Sequence, residues 1–244
     1  MEDKVEDVAR AVAGKELVIV TGGLGGGTGS GGIPVIGKRL KEGKRVTIAV
    51  VNIPFSSEGD LRRRNAKESL KEVMAVYDAI FVNFNDKLLT VHPGLSLINA
   101  FRHMDKRLEE IIWFILTLQE ARPLPGLIHV DFNVFKKIAK NAGLCTFGRG
   151  KAPNIGDAFF EALRNKDLYC KHDITGCKGV IIEVIGPENS ISPVDATRVP
   201  EYLSRNFNIS DVYWGVKPEW VTGVLEVCLL AAGVKSQEVE SFIG

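Results

Sequence analysis

The sequence predicts an α/β protein with a doubly wound parallel sheet, one long central helix and an α+β C-terminal domain. Three observations carry this. Short apolar, β-branched runs alternate with helical patterns between residues 16 and 83, as strands joined by crossover helices do. One helical pattern then runs unbroken over residues 96–119, longer than the usual helix. Beyond it the β-rich runs cluster late in the chain instead of alternating. The boundaries that follow are 1–95, 96–119 and 120–244.

In order, residues 3–13 read as a short amphipathic helix with Val5, Val8, Ala9 and Val12 on one face. Residues 16–21 are a buried strand bounded by glycines. Helical spacing resumes over 33–42 (Ile33, Ile36, Leu40) and stops at Gly43, a C-cap residue type. A second buried strand covers 45–52 and is broken by Pro54; a charged helix covers 60–76, and a third strand 79–83. In the long helix Leu97, Ile98, Phe101, Met104, Leu108, Ile111, Ile112, Ile115 and Leu116 follow an i, i+3, i+4 pattern, which ends at the Pro-rich segment 122–126. Helices are predicted at 131–142, 155–164 and 194–205, and β-rich runs at 179–185, 211–216 and 221–231.

Composition sets outer limits. Of 244 residues, 45% are hydrophobic and 25% charged, as in ordinary globular proteins, and the chain is long enough to bury a sizeable core. The formal charge of +1 leaves no basic excess to neutralise a nucleic acid, so none is expected as a partner. Cys145, Cys170, Cys177 and Cys228 form no CxxC pair; free thiols and no metal site are expected, although Cys170, His172 and Cys177 cluster. The N-terminus is not patterned as a signal peptide, and no apolar run approaches the ~20 residues a bilayer requires. A cytoplasmic protein with no direct membrane insertion is the expectation.

The chemistry concentrates between Gly22 and Gly32. Residues 25–31 read Gly-Gly-Gly-Thr-Gly-Ser-Gly and open a helix. Glycines let backbone N–H groups approach a phosphate, the helix N-terminus adds a favourable dipole, and Thr28 and Ser30 supply hydroxyls. A Walker A loop is excluded because the nearest lysine is Lys38, within the helix. A dinucleotide fingerprint can be traced over 27–32, but the next strand ends in Asn52 where that motif needs an acid.

The complete run after an apolar strand resembles the signature loop of the tubulin/FtsZ superfamily of GTP-binding, filament-forming proteins. Further segments are similar to FtsZ in the same order: Pro54-Phe55-Ser-Ser-Glu58-Gly59 followed by Arg62, Asn85-Asp86-Lys87-Leu88-Leu89, Phe101 with Asp105, Leu127-Ile-His-Val-Asp131-Phe132, and runs at 179–186 and 211–215. The likeness extends from about residue 17 to about residue 233. It implies GTP or GDP as ligand, with Mg2+ a candidate companion. The phosphates would lie on Gly25, Gly26, Gly27, Thr28, Gly29 and Ser30, the ribose on Glu58, and Arg62 along the nucleotide. Guanine would touch Asn85, stack on Phe101 and be read by Asp105. Residues four apart share a helical face, and a carboxylate accepts from both guanine N1–H and the 2-amino group, which adenine does not offer.

The resemblance also implies head-to-tail self-association, in which Asp131 reaches the next subunit's nucleotide; such a heterologous contact generates open filaments. An ordinary FtsZ is a second candidate partner. Two departures bear on this. FtsZ begins with a half-sheet carrying an earlier glycine-rich loop, whereas the first recognisable strand here is at residue 17. Its edge is therefore expected to lie bare apart from cover by the 3–13 helix. The catalytic loop of FtsZ reads Asn-x-Asp-x-x-Asp; here His129 stands for the asparagine and Val134 for the second aspartate. Asp131 and His129 are thus the catalytic candidates, with hydrolysis impaired. The alternative is a non-hydrolysing FtsZ paralogue that acts as a regulatory or interaction protein.

Overall fold

A computed structural model describes residues 2–41, 45–120, 128–187, 191–218 and 224–244. Its strands are β1 (Leu17–Gly23), β2 (Val46–Ile53), β3 (Ala79–Phe84), β4 (Gly143–Ala152), β5 (Gly179–Gly186), β6 (Val212–Pro218) and β7 (Leu225–Ala232). The helices are α1 (Glu2–Ala11), α2 (Gly27–Leu40), α3 (Asp60–Val76), α4 (Lys87–Val91), α5 (Leu97–Glu120), α6 (Phe132–Ala139), α7 (Ile155–Asn165), α8 (Pro193–Phe207) and α9 (Gln237–Ile243). All seven strands join one mixed sheet in the order β1-β2-β3-β4-β7-β5-β6.

The first three strands are parallel, as the alternation predicts. β4 continues beside β3 over only two residue pairs, Ala79 with Gly143 and Ile80 with Leu144. It then runs antiparallel to β7, which pairs antiparallel with β5, while β5 and β6 are parallel. Apolar side chains cover both faces of the sheet. On one, α3 packs Leu70 and Val73 against Ala49, Val51, Ile80 and Val82. On the other, α5 lays Ile111, Phe114, Ile115 and Leu118 against Ile48, Val50 and Phe81, and this cluster continues to Phe147, Ile181 and Leu230. One helix therefore packs on both parts of the sheet.

Several expectations are corrected. The helix after the glycines starts at Gly27, not residue 33, so the glycine run forms its first turns. Pro34 is accommodated inside it: the ring removes the N–H that would bond the Ser30 carbonyl, and Ser69 Oγ donates to that oxygen instead at 3.1 Å. β4 has no counterpart in the sequence reading, because Gly148 and Gly150 break its apolar pattern. They are there because α7 lies against the strand: a Cβ at either position would sit 2.0 Å from the carbonyl oxygen of Ala162 or Ala158. α4 and α9 were also not anticipated. α6 ends at Ala139, ahead of the expected 142, where Asn141 takes a positive φ of 52°. Gly43, the segment 122–126 and residues 221–223 of the last β-rich run lie outside the described residues.

At the sheet's margin β1 pairs with β2 alone among the described strands. α1 packs on α2, with Glu6 accepting from Arg39 at 2.8 Å.

Candidate functional site

The glycine run begins at the carboxyl end of β1 and continues into α2. Gly25 is buried with φ +99°, and a Cβ there would meet Pro54 Cγ at 2.9 Å and the Arg62 carbonyl at 3.0 Å. A Cβ at Gly29 would lie 1.9 Å from the Gly23 oxygen. These two glycines are required by the fold itself. By contrast, nothing lies within 4 Å of where a Cβ would stand at Gly26, Gly27, Gly31 or Gly32. Gly26 caps α2 with no side-chain bond, and no acidic residue occupies the first turn. The leading N–H groups of an α-helix have no partner within it, so this end presents open donors and a positive dipole to an anion. Thr28 is exposed. The Ser30 hydroxyl is used differently from expectation: it accepts from Gly25 N–H at 2.7 Å and closes the loop on itself.

Contacts along the strand ends bring the other predicted residues to the same place. Leu24 N–H donates to the Asn52 oxygen at 2.9 Å, and Asn85 N–H to the Ile53 oxygen at 3.0 Å. Pro54 and Arg62 touch Gly25, and Phe55 follows directly. Phe101 meets Phe55 edge-on at 5.8 Å between centroids, with 42% of its surface exposed. Beneath this pair lies a small apolar cluster of Phe55, Leu88, Ala100, Met104 and Tyr169, so the Phe101 ring rests on a firm platform with one side open. Asp105 is exposed one turn further along α5, without a partner among the described residues. Asn85 is buried, and its Oδ1 has no hydrogen-bond partner among the described residues; an orphaned buried acceptor costs about 1–3 kcal/mol, which a ligand N–H would relieve. Glu58 Oε1 accepts from Phe55 N–H at 2.8 Å, and its other oxygen pairs with Arg62. Behind the loop, burial pushes the Tyr77 hydroxyl pKa up, and it donates to the Ile33 oxygen at 2.8 Å.

The catalytic candidates lie at and just before the start of α6. Asp131 caps α6, accepting from Asn133 N–H at 2.6 Å. That helix is tied to the amino ends of the first three strands. Lys136 pairs with Glu16 at 2.8 Å, and Lys140 donates to the Arg45 oxygen at 3.0 Å and to Asp78 at 3.1 Å. β1, seven residues long, separates the two ends by roughly 20 Å. His129 is half-buried beside Ile128, whose oxygen accepts from Val216 N–H at 2.8 Å. Val134 is half-buried and packs against the cluster that includes the α5 side chains.

A cavity of about 330 Å³ between α5, β4 and α7 is lined by Lys106, Arg107, Glu110, Arg149, Lys151 and Glu161 among others. Its strand cations are already matched, since Glu226 pairs with both Arg149 and Lys151. Among the described residues, no group of three or more His, Cys, Asp or Glu could hold a metal ion, and no helix is long and apolar enough to cross a membrane.

Sequence reasoning passed over the supporting residues: Phe55 under Phe101, Ser69 on the loop carbonyl, and Asp86, whose Oδ1 accepts from Ser56 N–H and Oγ at 2.9 and 3.2 Å. Phe55 and Asp86 were visible as members of motif segments, whereas Ser69 carried no signal.

Known proteins resemble this chain in sequence and fold. The family described as "Tubulin/FtsZ family, GTPase domain" matches residues 1–93. The cell division protein FtsZ of Methanothermobacter thermautotrophicus is 34% identical over 241 residues, covering 96% of this chain and 61% of its own length. FtsZ 1 of Pyrococcus abyssi is 32% identical over 244 residues, covering 98% and 63%. The chain thus spans less than two thirds of these relatives. Among solved structures, CetZ2 from Haloferax volcanii, a GTPγS-bound protofilament, superposes with a TM-score of 0.84 at 25% identity, covering 100% of this chain and 74% of that one. An empty FtsZ dimer from M. jannaschii gives 0.81 at 28% identity, covering 97% and 72%. With its glycine loop at the sheet's carboxyl end, its central helix and these relatives, the chain belongs to the tubulin/FtsZ superfamily and is FtsZ-like within it.

Proposed function

We propose that this chain binds a guanine nucleotide at the carboxyl ends of β1–β3 and associates head to tail, so that Asp131 of one copy faces the nucleotide of the next. The observation that carries this is the separation of the two ends. Asp131 caps a helix whose later residues are tied to the amino ends of the strands, and such a residue is poorly placed to act on a ligand held at their carboxyl ends, since the strands span roughly 20 Å. It can do so on a neighbour stacked along the strand direction. The open N-terminus of α2 takes the phosphates, the Phe101 face the base, and Asn85 Oδ1 together with Asp105 the guanine N–H groups. Mg2+ arriving with the nucleotide would draw most of its ligands from phosphate oxygens and water, as this ion commonly does, since the described residues offer no three-residue cluster.

Asp131 orients and polarises a water toward the neighbour's terminal phosphate, and His129 beside it is a polar companion. Hydrolysis is slow in this reading, because Val134 is a half-buried apolar side chain where FtsZ has a second carboxylate. The same observation favours a second reading, a non-hydrolysing FtsZ paralogue that binds nucleotide and acts through protein contacts, an ordinary FtsZ among them. GTP turnover measured against protein concentration tests both. Phosphate release that rises more steeply than linearly supports catalysis across a subunit contact. Nucleotide binding with no release at any concentration leaves the paralogue reading.

A further inference from the structure

We propose that Asp86 is a positioning residue for Glu58: it holds the 55–59 turn in place while the Glu58 carboxylate is given over to the ribose. This rests on the guanine-nucleotide reading above. Asp86 stands at the N-cap of α4, yet its side chain makes no bond to that helix, although an aspartate there commonly accepts from the second or third N–H of its own helix. Its Oδ1 crosses instead to Ser56, accepting from the backbone N–H at 2.9 Å and from Oγ at 3.2 Å. Its Oδ2 lies 4.0 Å from Arg63. Ser56 is the first residue of the single 3-10 turn Ser56–Glu58, and its N–H has no acceptor within that turn.

Two carboxylates therefore hold one short turn. Glu58 does so from inside, through Phe55 N–H at 2.8 Å, and Asp86 from across the strand ends. When Glu58 turns to accept ribose hydroxyls, the inner tie is given up and the Asp86 bonds remain. Asp86 also directly follows Asn85, whose N–H is fixed on the Ile53 oxygen. Consecutive residues thus set the base side and the ribose side of the site in one register.

Calorimetry with GDP, 2′,3′-dideoxy-GDP and pyrophosphate tests this on the whole chain and on Asp86→Ala, Asp86→Asn, Glu58→Ala and the Asp86→Ala/Glu58→Ala double variant. Asp86→Ala is expected to weaken GDP about tenfold. Asp86→Asn, which keeps an acceptor oxygen for Ser56, recovers most of that loss, and pyrophosphate binding stays unchanged. The Asp86→Ala effect vanishes in the Glu58→Ala background and with the dideoxy nucleotide. Unaltered GDP affinity in Asp86→Ala overturns the proposal, as does equal weakening of GDP and its dideoxy analogue. A wild-type chain that binds no GDP overturns the nucleotide reading itself, and this one with it.

Discussion

The two ends of the β1–β3 sheet are finished in opposite ways, although the same three strands run between them. At the amino ends, side chains close the structure. The buried Asp78 carboxylate accepts from Thr47 N–H at 2.9 Å, Thr47 Oγ1 at 3.0 Å, Lys140 at 3.1 Å and Asn141 N–H at 3.3 Å, and Lys136 reaches Glu16. At the carboxyl ends, glycines replace side chains, α2 starts without a cap, and Asn85 keeps an acceptor unmade. Strand propensity cannot explain the difference, since it is common to both ends. Among the described residues, one end is closed by the chain's own side chains, whereas the other keeps an uncapped helix N-terminus and an unmade acceptor.

The largest effect expected from this contrast is at Asp78. Asp78→Ala strands three protein donors and a lysine, and is expected to cost about 3 kcal/mol in denaturant unfolding while leaving GDP affinity within about twofold. A similar magnitude arises away from either end. Burial lowers the His172 pKa from 6.5 to about 4, against Asp167, which raises it, and Lys166 and Arg107, which lower it further. The unfolded chain takes up a proton below pH 6.5 that the folded chain refuses until about pH 4, so stability present at neutral pH falls by about 3 kcal/mol over that window. Neither ring nitrogen has a hydrogen-bond partner among the described residues. His172→Leu should therefore flatten the acid slope in pH-dependent unfolding and leave the contrast between the ends intact.

The glycines divide the open end more finely. Gly29→Ala drives a Cβ into the Gly23 carbonyl and should cost about 2 kcal/mol as well as nucleotide binding. Gly27→Ala meets nothing within 4 Å among the described residues. It is expected to raise stability by about 0.5–1 kcal/mol through helix propensity and yet weaken GDP about tenfold, because the methyl group occupies space meant for phosphate. Equal loss of folding and binding in both variants would erase the distinction between fold-required and ligand-required glycines.

Much of this was legible in the sequence. The β1–β3 alternation, the long α5 and the glycine loop carry local signals strong enough to survive in one chain. Where reading failed, tertiary packing had overruled local pattern. β4 is a ten-residue strand hidden by glycines that α7 requires. α2 starts six residues early because helical geometry, not side-chain periodicity, organises its first turns. Phe101, Asp105 and Asn85 were found through a motif, whereas Phe55, Ser69 and Asp86 support them through contacts 30 or more residues apart, which no local window contains.

The central claim is that the open end is built for a guanine nucleotide, and calorimetric titration of GDP against ADP tests it most directly. The account predicts one GDP site per chain, ADP at least about a hundredfold weaker, and loss of that discrimination in Asp105→Ala. Equal affinity for the two nucleotides, or no binding of GDP, would contradict it.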